Sequence, residues 1–478
     1  MILQRALEAR GVSCTLILPF YRSDPVTYTR TAIAQTKARI VAYSFRNLDS
    51  AGFHFSTDGG FSFVRQLLSI LPERDVFDGL VVLGGSGFSI APAELMEKTA
   101  ADIGFMGPSE DDFAEFCVRV LHNGLSAADA VKNLRSVAMP DTVPPLRPVA
   151  GALGKIGSLH NEACEVARLV GGTVPVRTKT GCSLKCSYCV VPSIEPLRLR
   201  TWDEIQDELK MWVTAGLGNR VFIADGEFNL PSVQRAIEIS DRIRNTFGET
   251  VAWRCYLEAG YITRGLVAAL KAANCVGISL TVDSLADAPR KGFAKGTSAQ
   301  TALEGIRICL ESGIQTGVNL LFGGPGETIE TALETARLAK ALCEQGAGIA
   351  VTVGLRVYPN TPLHALSLTE EHKRFYQAGV TYEWLGVYCS PVSPEELAKH
   401  VVPVLGDSPM VQYTNTVSAD ERSIFQRIAS ATTRMTDRDL VGALSDFEQL
   451  ALEYPMRGEP RLGILKCKLR ISDVAAGR

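Results

Sequence analysis

At 478 residues the chain is too long for one ordinary hydrophobic core, so two or three domains are expected. A hydrophobic fraction of 46% with a formal charge of −3 describes a soluble globular protein and disfavours nucleic acid as a partner. No apolar run approaches the ~20 residues that cross a bilayer. The charged, helical opening does not resemble a signal peptide, and twelve cysteines in a chain this long fit a reducing cytoplasm better than a disulfide scaffold.

Taken in chain order, residues 1–137 alternate short apolar runs (14–19, 40–45, 79–83 and 102–106) with helical patterns at 61–71, 93–99 and 111–123. That alternation predicts an α/β domain with a doubly wound, Rossmann-like parallel sheet, whose ligands bind in loops at the carboxyl ends of the strands. Those loops are rich in glycine and small polar residues: 44–47, Gly84-Gly85-Ser86-Gly87-Phe88-Ser89, and 107–110. The chain opens inside a helix where such a domain normally has a first, central strand. Either that strand is missing or residues 1–3 stand in for it.

Residues 138–170 read as a linker, with Pro140, Pro144, Pro145 and Pro148 followed by Gly151 and Gly154. A second βα series follows over 171–365. Its strands are expected at 173–179, 220–224, 252–257, 276–282, 315–322 and 350–357, with helices between them. Six units predict a partial (β/α)6 barrel rather than a full eight-fold one. Residues 366–478 read as a small, mainly helical C-terminal region.

The chemistry lies in Cys182, Cys186 and Cys189, a Cys-x3-Cys-x2-Cys loop just after a predicted strand. Three thiolates on a cubane of four irons leave one iron open, so the spacing points to a [4Fe–4S] cluster with a reactive position. Three ligands of a zinc site, or plain buried thiols, are the alternatives. Zinc sites usually pair one Cys-x2-Cys with another, and the remaining cysteines here are scattered.

The stretch Gly181-Cys182-Ser183-Leu184-Lys185-Cys186-Ser187-Tyr188-Cys189 resembles the signature of the radical S-adenosylmethionine (SAM) superfamily. Asp225-Gly226-Glu227 is similar to that family's Gly-Gly-Glu, which implies that Glu227 takes the SAM amino group. The resemblance further implies ribose contacts at Ser279 and Thr281. It places an adenine cradle around Asn319 and Gly323-Gly324-Pro325-Gly326, and another SAM contact at Arg356. Asp283, Tyr256, Tyr358 and Cys389 fall near strand ends or the expected mouth, with packing as the other reading.

A doubly wound domain ahead of such a barrel resembles the cobalamin-dependent class of radical SAM enzymes. Ser44, Gly84, Gly85, Ser86 and Gly87 occupy the places where those domains hold the cobalamin nucleotide tail and corrin edge. The Asp-x-His-x-x-Gly motif that supplies a lower cobalt ligand is absent, and His54 has the wrong spacing to replace it. Arg46 sits where it would leave the lower cobalt face uncoordinated, and Ser-Phe-Arg-Asn-Leu-Asp resembles the thiopeptide tryptophan C-methyltransferase branch. An ion pair of Arg46 with Asp49 is the bland reading.

These resemblances imply three cofactors: the cluster, SAM and cobalamin. They imply methyl transfer from SAM through cobalamin to an unactivated or aromatic carbon of a small-molecule or peptide substrate. An external electron donor of flavodoxin or ferredoxin type would serve the cluster. A cobalamin-using radical cyclase or rearranging enzyme is one alternative. A methylthiotransferase-like enzyme is another, although that family needs three cysteines in its first domain and residues 1–137 carry only Cys14 and Cys117.

Overall fold

Alternation along the strand Leu80–Gly84 sends Val81 and Leu83 to one face of a sheet and Leu80 and Val82 to the other. Both faces are covered. Val81 and Leu83 pack with Phe88, Leu95 and Met96, whereas Val82 packs with Leu7, Phe113 and Phe116. This is a computed structural model, and it describes residues 2–19, 24–44, 68–74, 77–135, 137–144, 164, 167, 173–378, 385–406, 408–413, 427–428, 430–431, 434–435, 439–454 and 459–475.

The first sheet has the order β1 (Ile40–Ser44), β2 (Leu80–Gly84), β3 (Ile103–Phe105) and β4 (Val137–Ala138). Its first three strands are parallel and β4 runs antiparallel to β3. The run at 14–19 is not a strand. Val12 and Cys14 are covered by packing against the helices Ile2–Glu8 and Glu110–Leu121, without a backbone ladder. An apolar run signals burial; only a paired neighbour makes a strand. Residues 2 and 3 lie in the opening helix, so they do not stand in for a strand either. Arg46, Asp49, His54 and most of the helical pattern at 61–71 lie outside the described residues, as does most of the segment at 145–172.

The second sheet is parallel throughout, with strands following one another in space almost as in sequence: β5 (Val174–Val176), β8 (Val221–Ile223), β9 (Trp253–Leu257), β10 (Cys275–Asp283), β11 (Gln315–Phe322), β12 (Gly348–Val353) and β16 (Val411–Tyr413). Such winding in one direction puts the helices on one face. Trp253, Cys255, Leu257, Ile278, Leu280, Val318 and Leu320 pack under those helices in the largest core. The alternate positions, among them Arg254, Tyr256, Ser279 and Thr281, face the other side and stay half-buried or exposed.

Three expectations are corrected here. The first expected strand of this series is split: after β5, residues Lys179–Thr180 form β6 and pair with β7 (Arg198–Leu199) in a separate hairpin. The run at 350–357 also breaks, at Gly354 with φ +80°, and β13 (Leu355–Val357) leaves to join β14 (Tyr376–Gln377) and β15 (Gly386–Tyr388) in an antiparallel sheet. Arg356 therefore sits on that small sheet, opposite Val387, and not at the end of a strand of the large one. Finally, the tail is not simply helical, because the helix Pro394–Leu405 leads into β16, a seventh parallel strand. Beyond it, the helices Leu440–Glu453 and Glu459–Ala475 pack around Phe447, Leu450 and Cys467. Among the described residues, no helix is long and apolar enough to cross a membrane.

Candidate active site

The cysteine loop leaves β6 through Gly181, whose φ is +63°. A Cβ there would come within 2.7 Å of Leu197 N, so only glycine fits. Beyond it the loop is fastened to the segment after β10. Ser187 N donates to Phe293 O at 3.0 Å, and Ser187 Oγ donates to Gly292 O at 2.8 Å. The Tyr188 ring meets Phe293 edge-on at 5.7 Å, and its hydroxyl donates to Asp283 Oδ2 at 2.8 Å. The loop's path is thus set by long-range contacts to β10 and the turn that follows it.

Burial pushes all three thiols up, Cys186 to about 12. They are also close enough to act on one another, since negative charge on Cys182 raises the other two further. Thiols so reluctant to ionise need a cationic partner to become thiolates. Among the described residues, no three Cys, His, Asp or Glu converge as ligands of a single ion. A cubane takes three thiolates on three different irons, and the Cys-x3-Cys-x2-Cys spacing points to that kind of site.

The end of β8 supplies the second part. A Cβ on Gly226 would stand 3.5 Å from Cys182 Cβ and 3.7 Å from its Sγ, so the Asp225-Gly226-Glu227 turn runs directly past the first cysteine. Glu227 is 5% exposed. Thr281 Oγ1 donates to its Oε1 at 2.6 Å, while Oε2 is buried without a hydrogen-bond partner. Burial lifts this acid to about 8, against the opposing effects of the Lys295 charge and the Thr281 hydroxyl. A buried carboxylate oxygen lacking a donor costs free energy, and an ammonium group supplies the missing bond. Glu227 thus fits the amino group of SAM.

Behind it lies a charge network that the sequence does not announce. Lys295 Nζ donates to Glu258 Oε2 at 2.8 Å and to Thr281 O at 2.9 Å, and lies 3.1 Å from Asp283 Oδ2. Burial opposes the lysine's charge, but the Asp283 and Glu258 carboxylates outweigh it and hold the ammonium protonated. Arg290 and Glu258, each 1% exposed, complete the cluster. Asp283, φ +64°, therefore links the cysteine loop to this network and is more than packing.

The positions on β10 and β11 expected to meet SAM fall on the face away from the helices. Ser279 and Thr281 pair with Gly317 and Asn319 across β10 and β11. A Cβ on Gly317 would meet Ser279 Oγ at 3.6 Å. Asn319 spends its side-chain donor on Leu280 O at 3.1 Å, which ties the strands together. In the turn after β11, Gly323 (φ +92°) donates its N–H to Glu327 Oε2 at 3.3 Å. A Cβ on Gly292 would collide with Pro325 O, so this turn packs tightly on the segment that also carries the cysteine loop. Cys389 is buried beside Gly323.

In the first sheet, Ser44 and Gly84 are register partners at the carboxyl ends of β1 and β2. Gly85 has φ +95°, and Ser86 and Gly87 open a short helix, Ser86–Ile90, where a loop was expected. Ser89 fixes that turn: its Oγ donates to Gly85 O and accepts from Gly107 N, both at 2.8 Å. A Cβ on Gly84 would meet nothing closer than Phe105 O at 3.6 Å, so the fold tolerates a side chain where the sequence keeps glycine. That spare space suits a ligand edge. The short helix packs against Val191–Ile194, which directly follows Cys189, and Leu385 and Tyr358 join the core of the first sheet. The glycine-rich turn and the cysteine loop are therefore neighbours in space.

Residues 176–339 match the Radical SAM superfamily model. Over 438 residues the chain is 24% identical to the tryptophan 2-C-methyltransferase of Streptomyces laurentii, covering 77% of this chain and 71% of that one. The methyltransferase TsrM from Kitasatospora setae, solved with tryptophan and a SAM analogue, superposes with a TM-score of 0.71 at 22% identity, covering 86% of each chain. OxsB, a cobalamin-dependent SAM radical enzyme solved with aqua-cobalamin, gives 0.63 at 14% identity, covering all of this chain and 78% of that one. Residues 176–339 thus carry the likeness to the Radical SAM superfamily, and the chain shares the fold of the solved structures of TsrM and OxsB.

Proposed function

We propose that the chain is a cobalamin-dependent radical SAM C-methyltransferase acting on an aromatic or unactivated carbon of a small molecule or peptide. The observation that carries this reading is the half-satisfied carboxylate of Glu227, in the turn that passes Cys182, with the glycine-rich turn packed on the helix that follows Cys189. In this reading residues 1–137 hold cobalamin, 171–365 form a partial barrel around cluster and SAM, and 366–478 buttress it. The chain works in the cytoplasm, where a flavodoxin- or ferredoxin-type donor supplies electrons.

When bound, these groups supply a methyl donor, a methyl carrier and one-electron reduction at the cluster. The chain's own residues orient and exclude water. Cys182, Cys186 and Cys189 hold the cluster; Glu227 accepts from the SAM ammonium; Ser279 and Thr281 face the sugar. Ser44 and Gly84 to Gly87 would cradle the cobalamin tail, and Arg46 would keep a protein ligand off the cobalt. Tyr256, exposed on the face away from the helices and edge-on to Phe222 at 5.2 Å, offers an aromatic wall for a planar substrate.

The test is anaerobic turnover of reconstituted protein with methyl-labelled SAM, cobalamin, reductant and a panel of indole-bearing and aliphatic acceptors. Label in a carbon-methylated product, lost in Cys186→Ala, supports the reading. Label-free rearranged or cyclised product would instead favour a radical cyclase.

A further inference from the structure

The turn that presents Glu227 is stapled from below by a buried ion pair. Lys179 and Asp225 have side chains with no solvent exposure, and Lys179 Nζ lies 3.3 Å from Asp225 Oδ2. The same ammonium donates a short hydrogen bond to Glu227 O. Asp225 Oδ1 accepts from Thr178 N at 2.8 Å and from Lys179 N at 3.3 Å, and its Oδ2 also accepts from the Thr178 hydroxyl. Arg235 holds this segment from outside through Thr178 O, at 3.0 Å.

The placement of Lys179 gives these bonds their meaning. It lies three residues before Cys182 and separated from it by Thr180 and Gly181 alone. Its ammonium therefore fixes the start of the cysteine loop to the backbone carbonyl of the residue that faces SAM. Burying two charges is expensive, and a hydrophobic pair of similar volume would often be as stable. What the pair provides is a fixed geometry.

We propose that Lys179 and Asp225 are positioning residues that couple the cluster loop to the SAM-binding carboxylate, a role that rests on the radical SAM reading above. Tilting Glu227 relative to Cys182 would leave the cluster in place but misalign SAM on its open iron.

The test uses anaerobically reconstituted full-length protein and measures iron content, thermal stability, SAM affinity, and the electron paramagnetic resonance spectrum of the reduced cluster with and without SAM. Lys179→Met and Asp225→Asn each leave one buried charge unpaired and lower stability. The double variant removes both charges and regains much of it. We expect that double variant to keep its iron, to bind SAM at least about tenfold more weakly, and to lose the SAM-induced spectral change. Wild-type SAM affinity and an unaltered spectral change in the double variant would overturn the proposal.

Hydrogen exchange on the wild-type protein tests the same link without any substitution. SAM should slow exchange at the amides of Thr178 and Lys179, and no change there would overturn it. A wild-type protein that loads its cluster but binds no SAM would instead overturn the radical SAM reading itself.

Discussion

The Thr281 hydroxyl donates a 2.6 Å hydrogen bond to Glu227 Oε1 and leaves the other carboxylate oxygen buried without a donor. Half of the carboxylate is oriented by the protein and half awaits a cation. Replacing Glu227 with glutamine keeps the size and the Thr281 contact but removes the charge. A charge-assisted hydrogen bond is worth about 1.5–3 kcal/mol, so SAM affinity should fall by about 10- to 100-fold. Equilibrium binding to reconstituted protein measures this, with iron content expected unchanged. Undiminished affinity would remove Glu227 from the SAM site.

Gly226 should tolerate alanine in the apo protein, because the added methyl would meet Cys182 only at ordinary contact distances. Melting of Gly226→Ala without iron should stay within about 1 kcal/mol of wild type. Cluster loading is another matter, since that methyl projects at the Cys182 sulfur. Iron retained after reconstitution and desalting should drop, and full retention would show that the turn stands clear of the cluster.

Lys295→Met leaves Glu258 and Asp283 as buried carboxylates without their shared ammonium. Breaking a buried pair from one side costs about 3–5 kcal/mol, so the melting temperature should fall by many degrees. Lys295→Arg should recover part of it. Because Asp283 also holds Tyr188, the methionine variant should lose cluster absorbance faster in air than wild type does.

How far the site could be read in advance follows from where its residues lie in the chain. The cluster ligands fall within one short loop, Ser279 and Thr281 sit on a strand that its apolar run reveals, and Glu227 lies in the turn that follows another. Lys295 and Glu258 lie in loops and Lys179 on β6, and none carries a local signature; the fold alone sets Lys295 against Glu258 and Lys179 against Asp225. The run at 14–19 failed as a strand because apolar composition alone does not pair a strand, and its residues stay half-buried or exposed. The strand Val411–Tyr413 is too short to outweigh the helical pattern around it. Arg356 was misplaced because Gly354 turns the chain out of the large sheet.

Glu327 gives a pH signature. Burial raises its acid from an ordinary 4.5 to about 7, partly offset by hydrogen bonds from Thr331 and Gly323. The folded chain therefore holds this proton up to about pH 7, whereas the unfolded chain releases it near 4.5. Its contribution to stability is fully present below about 4.5 and is lost as pH rises through 7. Glu327→Gln, neutral at every pH, should gain on wild type by roughly a few degrees of melting temperature at pH 8 and by little or nothing at pH 5. Equal differences at both values would contradict the assignment.

That one chain holds an iron–sulfur cluster and cobalamin side by side is tested most directly by metal analysis. The protein is reconstituted anaerobically with iron, sulfide and hydroxocobalamin, passed through gel filtration, and assayed for iron and cobalt per chain. About four irons and about one cobalt are predicted, the cobalt surviving in Cys186→Ala while the iron is lost. A protein that retains its iron but no cobalt would contradict a two-cofactor site.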